Sequence, residues 1–463
     1  MRTHWRGHAR LVTAALSALA LAGGALPAAA AAAPGVVINE VESNGGSPGD
    51  WVELVNTSAA AVDVSGWVVK DNDNSHAFTI ASGTSVAPGG YLVVDVDPVY
   101  GLGSADSARL YRSSTLVDSY TWSAHATTTY GRCADGVGAF ATTTTPTRGA
   151  ANACPVTTSA WPGDAAVTTA DASNVFGTNL SGLSYQGTGV VWAVKNGPGT
   201  LYRLVPNGSA WRPDTTGGWA SGKVLHYANG SGDPDAEGVV ATPDGLVVAT
   251  ERDNSGGGSA LKVLRYDGTS SASTLNATAE WNLTADLPSV AANSGLEAIS
   301  WVPDSFLTAR GFRDEHTGAA YNPSTYAGHG TGLYLVGLEA NGTVYAYALN
   351  QSGTSYTRVA TVASGFSGVM DLEFDPASGH LWAVCDNTCQ GRSATLDVNA
   401  QGKFAVTAVY NRPTGMSDYN NEGFAIAPQA ACVSGRKPVL WADDDNDGGH
   451  ALRAGTLNCA TAR

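Results

Sequence analysis

Five positions in the second half of the chain share one setting. Ser181, Glu237, Glu297, Asp371 and Glu422 each stand near the start of a short apolar stretch, as in DAEGVVA at Asp235–Ala241, GLEAISW at Gly295–Trp301 and NEGFAIA at Asn421–Ala427. A turn with Pro or Gly follows, then a second apolar stretch that ends in a polar cluster, such as TERDN at Thr250–Asn254. Carboxylates brought together from such positions repel one another unless a cation or N–H donors stand among them. Hard, oxygen-seeking cations suit that arrangement, and calcium is the expected cofactor. Glu237 and Asp371 are the ring members expected to hold the ion. With a cation beside a substrate, Glu237, Glu297, Asp371 and Glu422 are also the candidate catalytic groups. A carboxylate at a strand start can equally accept backbone N–H groups of the neighbouring strand, so the structural reading stands beside the metal and catalytic ones.

A second acidic signal is Asp443-Asp444-Asp445-Asn446-Asp447-Gly448. It contains D-x-D-x-D-G, the first half of a calcium loop in which alternate side chains face one ion. Position twelve is Ala454 rather than Glu and the flank reads as a strand, so the segment is not an EF-hand. Asp443, Asp445 and Asp447 are the expected ligands, against the plainer reading of an acidic turn. Cationic residues follow several of the second stretches or the long loop after them: Lys195, Arg252, Arg310, Arg313 and His316. Facing a cation, they would form a clamp for a phosphate. Taken singly, each suits a salt bridge with a neighbouring carboxylate.

The elements that must position these groups are strands. The five copies recur roughly every 50–75 residues, the signature of a propeller or a similar array. In an antiparallel hairpin the start of strand one and the end of strand two lie at the same edge, so ring and clusters meet at one channel mouth. Each unit supplies up to four strands. The second shows EGVVATP, LVVATER, ALKVLRYD and TAEWNL, while the fifth stops after its third, ALRAGTL. Ala165–Ala172 precedes the first unit without a partner and is expected to supply the missing strand. Five blades are counted, and six stay open because the third unit is long. The segment SFLTAR at Ser305–Arg310 reads as that unit's second strand, which places the insertion Gly311–Gly332 at the acidic mouth.

The remaining composition bounds the class. The basic start Arg2–Arg10, the apolar Leu11–Leu26 and the Ala28–Ala33 run describe residues 1–33 as a secretory signal cleaved near residues 30–33. A secreted, monomeric protein without membrane insertion is expected. Charged residues are 14%, Gly numbers 56 and Trp 12, which fits short strands and Gly-rich turns rather than helices. The formal net charge of −15 disfavours nucleic-acid binding. Six cysteines in an exported chain imply disulfides. Proximity in sequence suggests Cys133–Cys154, Cys385–Cys389 and Cys432–Cys459 among the 15 connectivities possible for six.

Residues 35–153 form a first domain, 154–160 a linker, and 161–463 the repeat domain. The fold class is all-β: an immunoglobulin-like sandwich, then a propeller. The first domain alternates as Trp51-x-Glu53-x-Val55, with turn signals at short intervals. INEV at Ile38–Val41, WVELVN at Trp51–Asn56, SGWVVKD at Ser65–Asp71 and the closing Tyr130–Asn152 resemble the lamin-tail domain family. That resemblance implies a targeting or binding module without catalysis. In residues 175–457 the D-x-E-G start, the LWAVCDN strand (Leu381–Asn387) and the LYRL strand (Leu201–Leu204) resemble phytase-like and SdiA-regulated propellers. The phytase-like likeness implies calcium-dependent phosphomonoester hydrolysis at the mouth. Two readings follow: a calcium-dependent phosphohydrolase acting on a small phosphorylated molecule, or a non-catalytic, calcium-stabilised protein that binds an extracellular or cell-surface ligand.

Overall fold

The computed structural model describes residues 35–133, 135–155 and 157–460. The basic and apolar leader lies outside them. The chain divides into two compact units, Met1–Cys154 and Pro155–Arg463.

Unit one is a two-sheet sandwich. One sheet runs in the order Ala139–Thr142, Tyr130–Cys133, Val36–Glu42, Trp51–Asn56, Tyr91–Asp95. The other runs Phe78–Thr79, Val68–Lys70, Asp106–Arg112, Thr115–Trp122. Period-two alternation turns Ile38, Val52 and Leu54 of the first sheet toward Val69, Ala108 and Leu110 of the second, where all six are buried in one core. Cys133 and Cys154 form a disulfide that fastens the closing segment.

Unit two holds five large, mainly antiparallel sheets and one two-stranded ribbon, and each large sheet is built on a first strand whose neighbours follow in chain order. These inner strands are Leu180–Tyr185, Pro234–Thr242, Leu296–Pro303, Asp371–Asp375 and Asn421–Ile426. They touch one another in turn, and the fifth touches the first. Ser181 Oγ donates to Glu237 O at 2.8 Å. Phe374 N donates to Ser300 Oγ, and Phe424 N to Asp371 Oδ2. Three contacts of this cycle are so close that only glycine fits: a Cβ on Gly182 would lie 2.4 Å from Glu237 O. A Cβ on Gly238 would lie 2.7 Å from Ile299 N, and one on Gly423 would lie 2.4 Å from Ser181 O.

The fifth sheet has three strands of its own, and Thr168–Thr169 pairs with Leu452–Asn458 as the fourth. The Ala165–Ala172 stretch therefore does complete that sheet. The stretch expected as a linker is partly structural as well: Thr158–Ser159 pairs in parallel with Phe404–Tyr410 of the fourth sheet. Trp161 then packs against Trp382 and Trp441, with its Nε1 donating to Thr456 O. An apolar anchor of this size contributes roughly 1.5–3 kcal/mol, which explains why Pro155–Ser159 belongs to the second unit.

One element departs from expectation. Asp304–Ala309 is a helix, not a strand. Pro303 fixes an extended entry at φ −68°, and Asp304 stands in the first turn, where acidic groups favour a helix start. A short apolar run has no period that separates the two structures. The true second strand of the third sheet is Gly332–Leu338, with Pro303 opposite Gly332 and Leu296 opposite Leu338. The insertion therefore joins the strands at the end remote from Glu297, not at the acidic mouth.

Candidate metal centre

Glu237, Glu297 and Glu422 come together because of a backbone irregularity at each. Strand register shifts between Ala236 and Gly238, between Leu296 and Ala298, and between Asn421 and Gly423. The residue skipped in each case is the glutamate. A bulge re-aims one side chain without changing the rest of the strand. The first sheet has the same shift between Leu180 and Leu183, but its residue is Ser181, spent on the backbone of Glu237. The fourth sheet has no such irregularity, since Asp371 pairs with Val384 and Leu372 with Ala383 in simple succession.

The carboxylate oxygens of Glu237, Glu297 and Glu422 lie within 4.8 Å of one another. Two further groups share these residues at the same spacing: Asp235, Glu237 and Glu251, and Glu251, Glu297 and Glu339. Asp444 adds a carboxyl beside Glu422. Second-strand ends deliver Glu251 and Asp444, and Glu339 follows directly on the third sheet's second strand, as the hairpin argument requires. Asp235, Glu251, Glu339 and Asp444 escaped the sequence reading. The only signal for them was acidity near a strand end, and many surface residues share it.

Donors are few. Asn196 Nδ2 lies 3.3 Å from Glu237 Oε2, Gly295 N donates to Glu251 Oε1, and Asn420 Nδ2 lies 3.3 Å from Glu422 Oε1. Glu339 Oε2 and Glu422 Oε2 are buried with no hydrogen-bond partner. Glu297 is 6% exposed, and its neighbours are the carboxyls of Glu237, Glu251 and Glu422. Among the described residues it has no N–H donor, lysine or arginine. Burial first, then mutual repulsion, pushes Glu237, Glu297 and Glu422 well above the ordinary carboxylate range. The same desolvation raises Asp235 to about 6, Glu339 to about 7 and Asp444 to about 6. An all-oxygen donor set of this density fits a hard divalent cation.

Several expected site residues are elsewhere. Asp371 is fully buried but accepts from Phe424 N at 2.6 Å and Leu372 N at 2.8 Å, so it clasps two strands and is not part of the cluster. The D-x-D-x-D-G loop is not arranged as an ion cage. Arg453 Nη2 stands 3.0 Å from Asp443 Oδ2 and donates to Asp447 O, and Asp447 N also donates to Asp443. The guanidinium fills the place an ion would take, while the side chains of Asp445 and Asp447 are exposed. The phosphate clamp does not assemble either. Arg252 pairs with Asp235 at 2.5 Å and also donates to Asn293. Lys195 Nζ donates to Phe176 O at 2.8 Å. Arg310 caps the helix and lies over the Phe306 ring, while Arg313 and His316 belong to the insertion, Arg313 in a two-stranded ribbon and His316 beside Tyr326.

The three disulfides pair as sequence proximity suggested: Cys133–Cys154, Cys385–Cys389 and Cys432–Cys459. Cys385 and Cys389 close a short loop around Asp386, whose charge acts on Glu422.

The family model of the Lamin Tail Domain matches residues 29–124, within unit one. No curated protein matches the chain. Among solved structures, a Bacteroides thetaiotaomicron protein of unknown function is similar at 10% identity, over 90% of this chain and 94% of the other, with a TM-score of 0.32. A luciferin-regenerating enzyme is similar at 13% identity, over 64% of this chain and 97% of the other, with a TM-score of 0.29. A chain of a nidogen/laminin complex is similar at 10% identity, over 61% and 77%, with a TM-score of 0.30. Likenesses of this size carry no argument about activity. No helix among the described residues is long and apolar enough to cross a membrane.

Proposed function

We propose that this is an exported, calcium-stabilised binding protein: a lamin-tail module followed by a five-bladed propeller whose mouth holds a hard divalent cation. The leader pattern, the three disulfides and the acidic composition support export. The cycle of contacts among five inner strands supports the propeller. The observation that carries the metal reading is Glu297, nearly fully buried with only carboxyls for company. Burial and mutual repulsion disfavour the ionised form of these carboxyls, and a cation shared by Glu237, Glu297 and Glu422 offsets both.

Phosphomonoester hydrolysis is the weaker reading, because the cationic residues that would clamp a phosphate are spent on other partners. The test is calcium titration by calorimetry, with phosphate release measured on a phosphomonoester panel that includes inositol hexakisphosphate. Calcium binding that Glu297→Gln weakens at least tenfold, without phosphate release, is the expected result. Calcium-dependent turnover moves the assignment to the enzyme. No calcium binding to the mature chain removes the metal centre.

A further inference from the structure

The cluster has a floor and a rim of different chemistry. Glu237, Glu251 and Glu297 are buried, while Asn196, Asn254 and Asn420 above them are half-exposed. These amides belong to the site. Asn196 and Asn420 each reach a carboxylate oxygen, and Asn254 Nδ2 donates to Asn196 O at 2.7 Å. Asn196 Oδ1 is itself buried without a partner. An amide offers both donor and acceptor, and the ligand group that answers both is a hydroxyl.

The charges around the rim point the same way. An anionic ligand would need a guanidinium or ammonium group to meet it. Arg252 is held by Asp235 and Lys195 by a backbone carbonyl, while Arg392 donates Nη2 to Gln390 and keeps its Nε buried away from solvent. What remains is an acidic floor suited to a cation and a neutral amide rim. A cation held on that floor has coordination positions left toward solvent, and adjacent hydroxyls on one ring fill two of them as hard oxygen donors.

We infer that the mouth binds a neutral saccharide through a vicinal diol, with the cation and the asparagine rim sharing its hydroxyls. This rests on the cation site proposed above. Glu339 Oε2 and Glu422 Oε2, buried without a hydrogen-bond partner in that cluster, are the independent sign that the carboxylates have room for a ligand.

The test passes the mature chain over immobilised mannan, galactan and inositol hexakisphosphate, in calcium and in chelator, with calcium binding measured separately. Retention on a neutral polysaccharide is expected in calcium, with release by chelator and none on the hexakisphosphate. Asn196→Leu and Asn254→Leu, each assayed at saturating calcium, should lose about tenfold in retention, the worth of one or two hydrogen bonds. Three results overturn the inference while leaving the cation site standing: calcium binding without retention on either polysaccharide, retention on the hexakisphosphate alone, and sugar retention that chelator does not change. Absence of calcium binding overturns the cation site itself. The wild-type chelator arm decides the question even if a variant fails to fold.

Discussion

Two sets of buried glutamates sit in the two units, and only one looks like a site. In the sandwich, Glu40 accepts from Thr129 Oγ1 and from Thr147 N and Oγ1. Glu53 accepts from Asn39 Nδ2 and Gly149 N. Both are fully buried. In the second unit, Glu297 is almost as buried and meets only carboxyls. Burial is common to both regions, so burial does not mark function here. The supply of donors does. Glu40 and Glu53 tie down the closing segment of the sandwich, while Glu237, Glu297 and Glu422 crowd together with few donors among them.

Breaking the comparison begins with the pair that mimics a metal site. Arg453→Met should leave Asp443 buried without its cation and cost about 3–5 kcal/mol, read as a lowered urea midpoint. Calcium affinity at the mouth should be unchanged. A large loss of calcium binding in that variant would return the Asp443 loop to the metal centre.

Next comes Glu53, raised to about 7 chiefly by burial. Its folded value lies above the unfolded one, so the stability it contributes is complete below the ordinary carboxylate value and is lost as pH rises toward about 7. Calorimetry from pH 4 to 8 on the full chain should show the sandwich transition weakening over that window, and Glu53→Gln should flatten the dependence. A transition that strengthens across the same window contradicts the assignment.

The smallest effect belongs to Asp371→Asn. It keeps one acceptor for Phe424 N and loses the charge, which should cost about 1 kcal/mol by chemical denaturation and leave calcium titration intact. Equal losses of calcium binding in Asp371→Asn and Glu297→Gln would erase the distinction drawn between the ring's two kinds of carboxylate.

Much of this was legible in the residues. The repeat of an apolar strand, a turn and a second strand located all five inner strands and four of the five hairpins, and the partnerless Ala165–Ala172 pointed to the strand that completes the fifth sheet. Hairpin geometry placed the ring beside the second-strand ends. The error at Asp371 was legible too. Ser181, Glu237, Glu297 and Glu422 are each followed by Gly or Ala, which lets the bulge press against the next strand, whereas Asp371 is followed by Leu372. The Arg453 plug lies one strand beyond the acidic loop it fills, and only pairing brings it there. Ser305–Arg310 failed because six residues give too little period to separate strand from helix. The donor count at Glu297, which carries the functional reading, is a property of three dimensions and has no one-dimensional trace.

The contact between Thr168–Thr169 and Leu452–Asn458 joins two segments of the second unit that lie far apart in sequence. A ribosome delivers them well separated in time. The fifth sheet cannot take its fourth strand until Leu452–Asn458 has emerged, and bringing such distant segments together is slow. A nascent chain stopped even a few residues before Leu452 would hold four nearly finished sheets and a fifth without its outer pair.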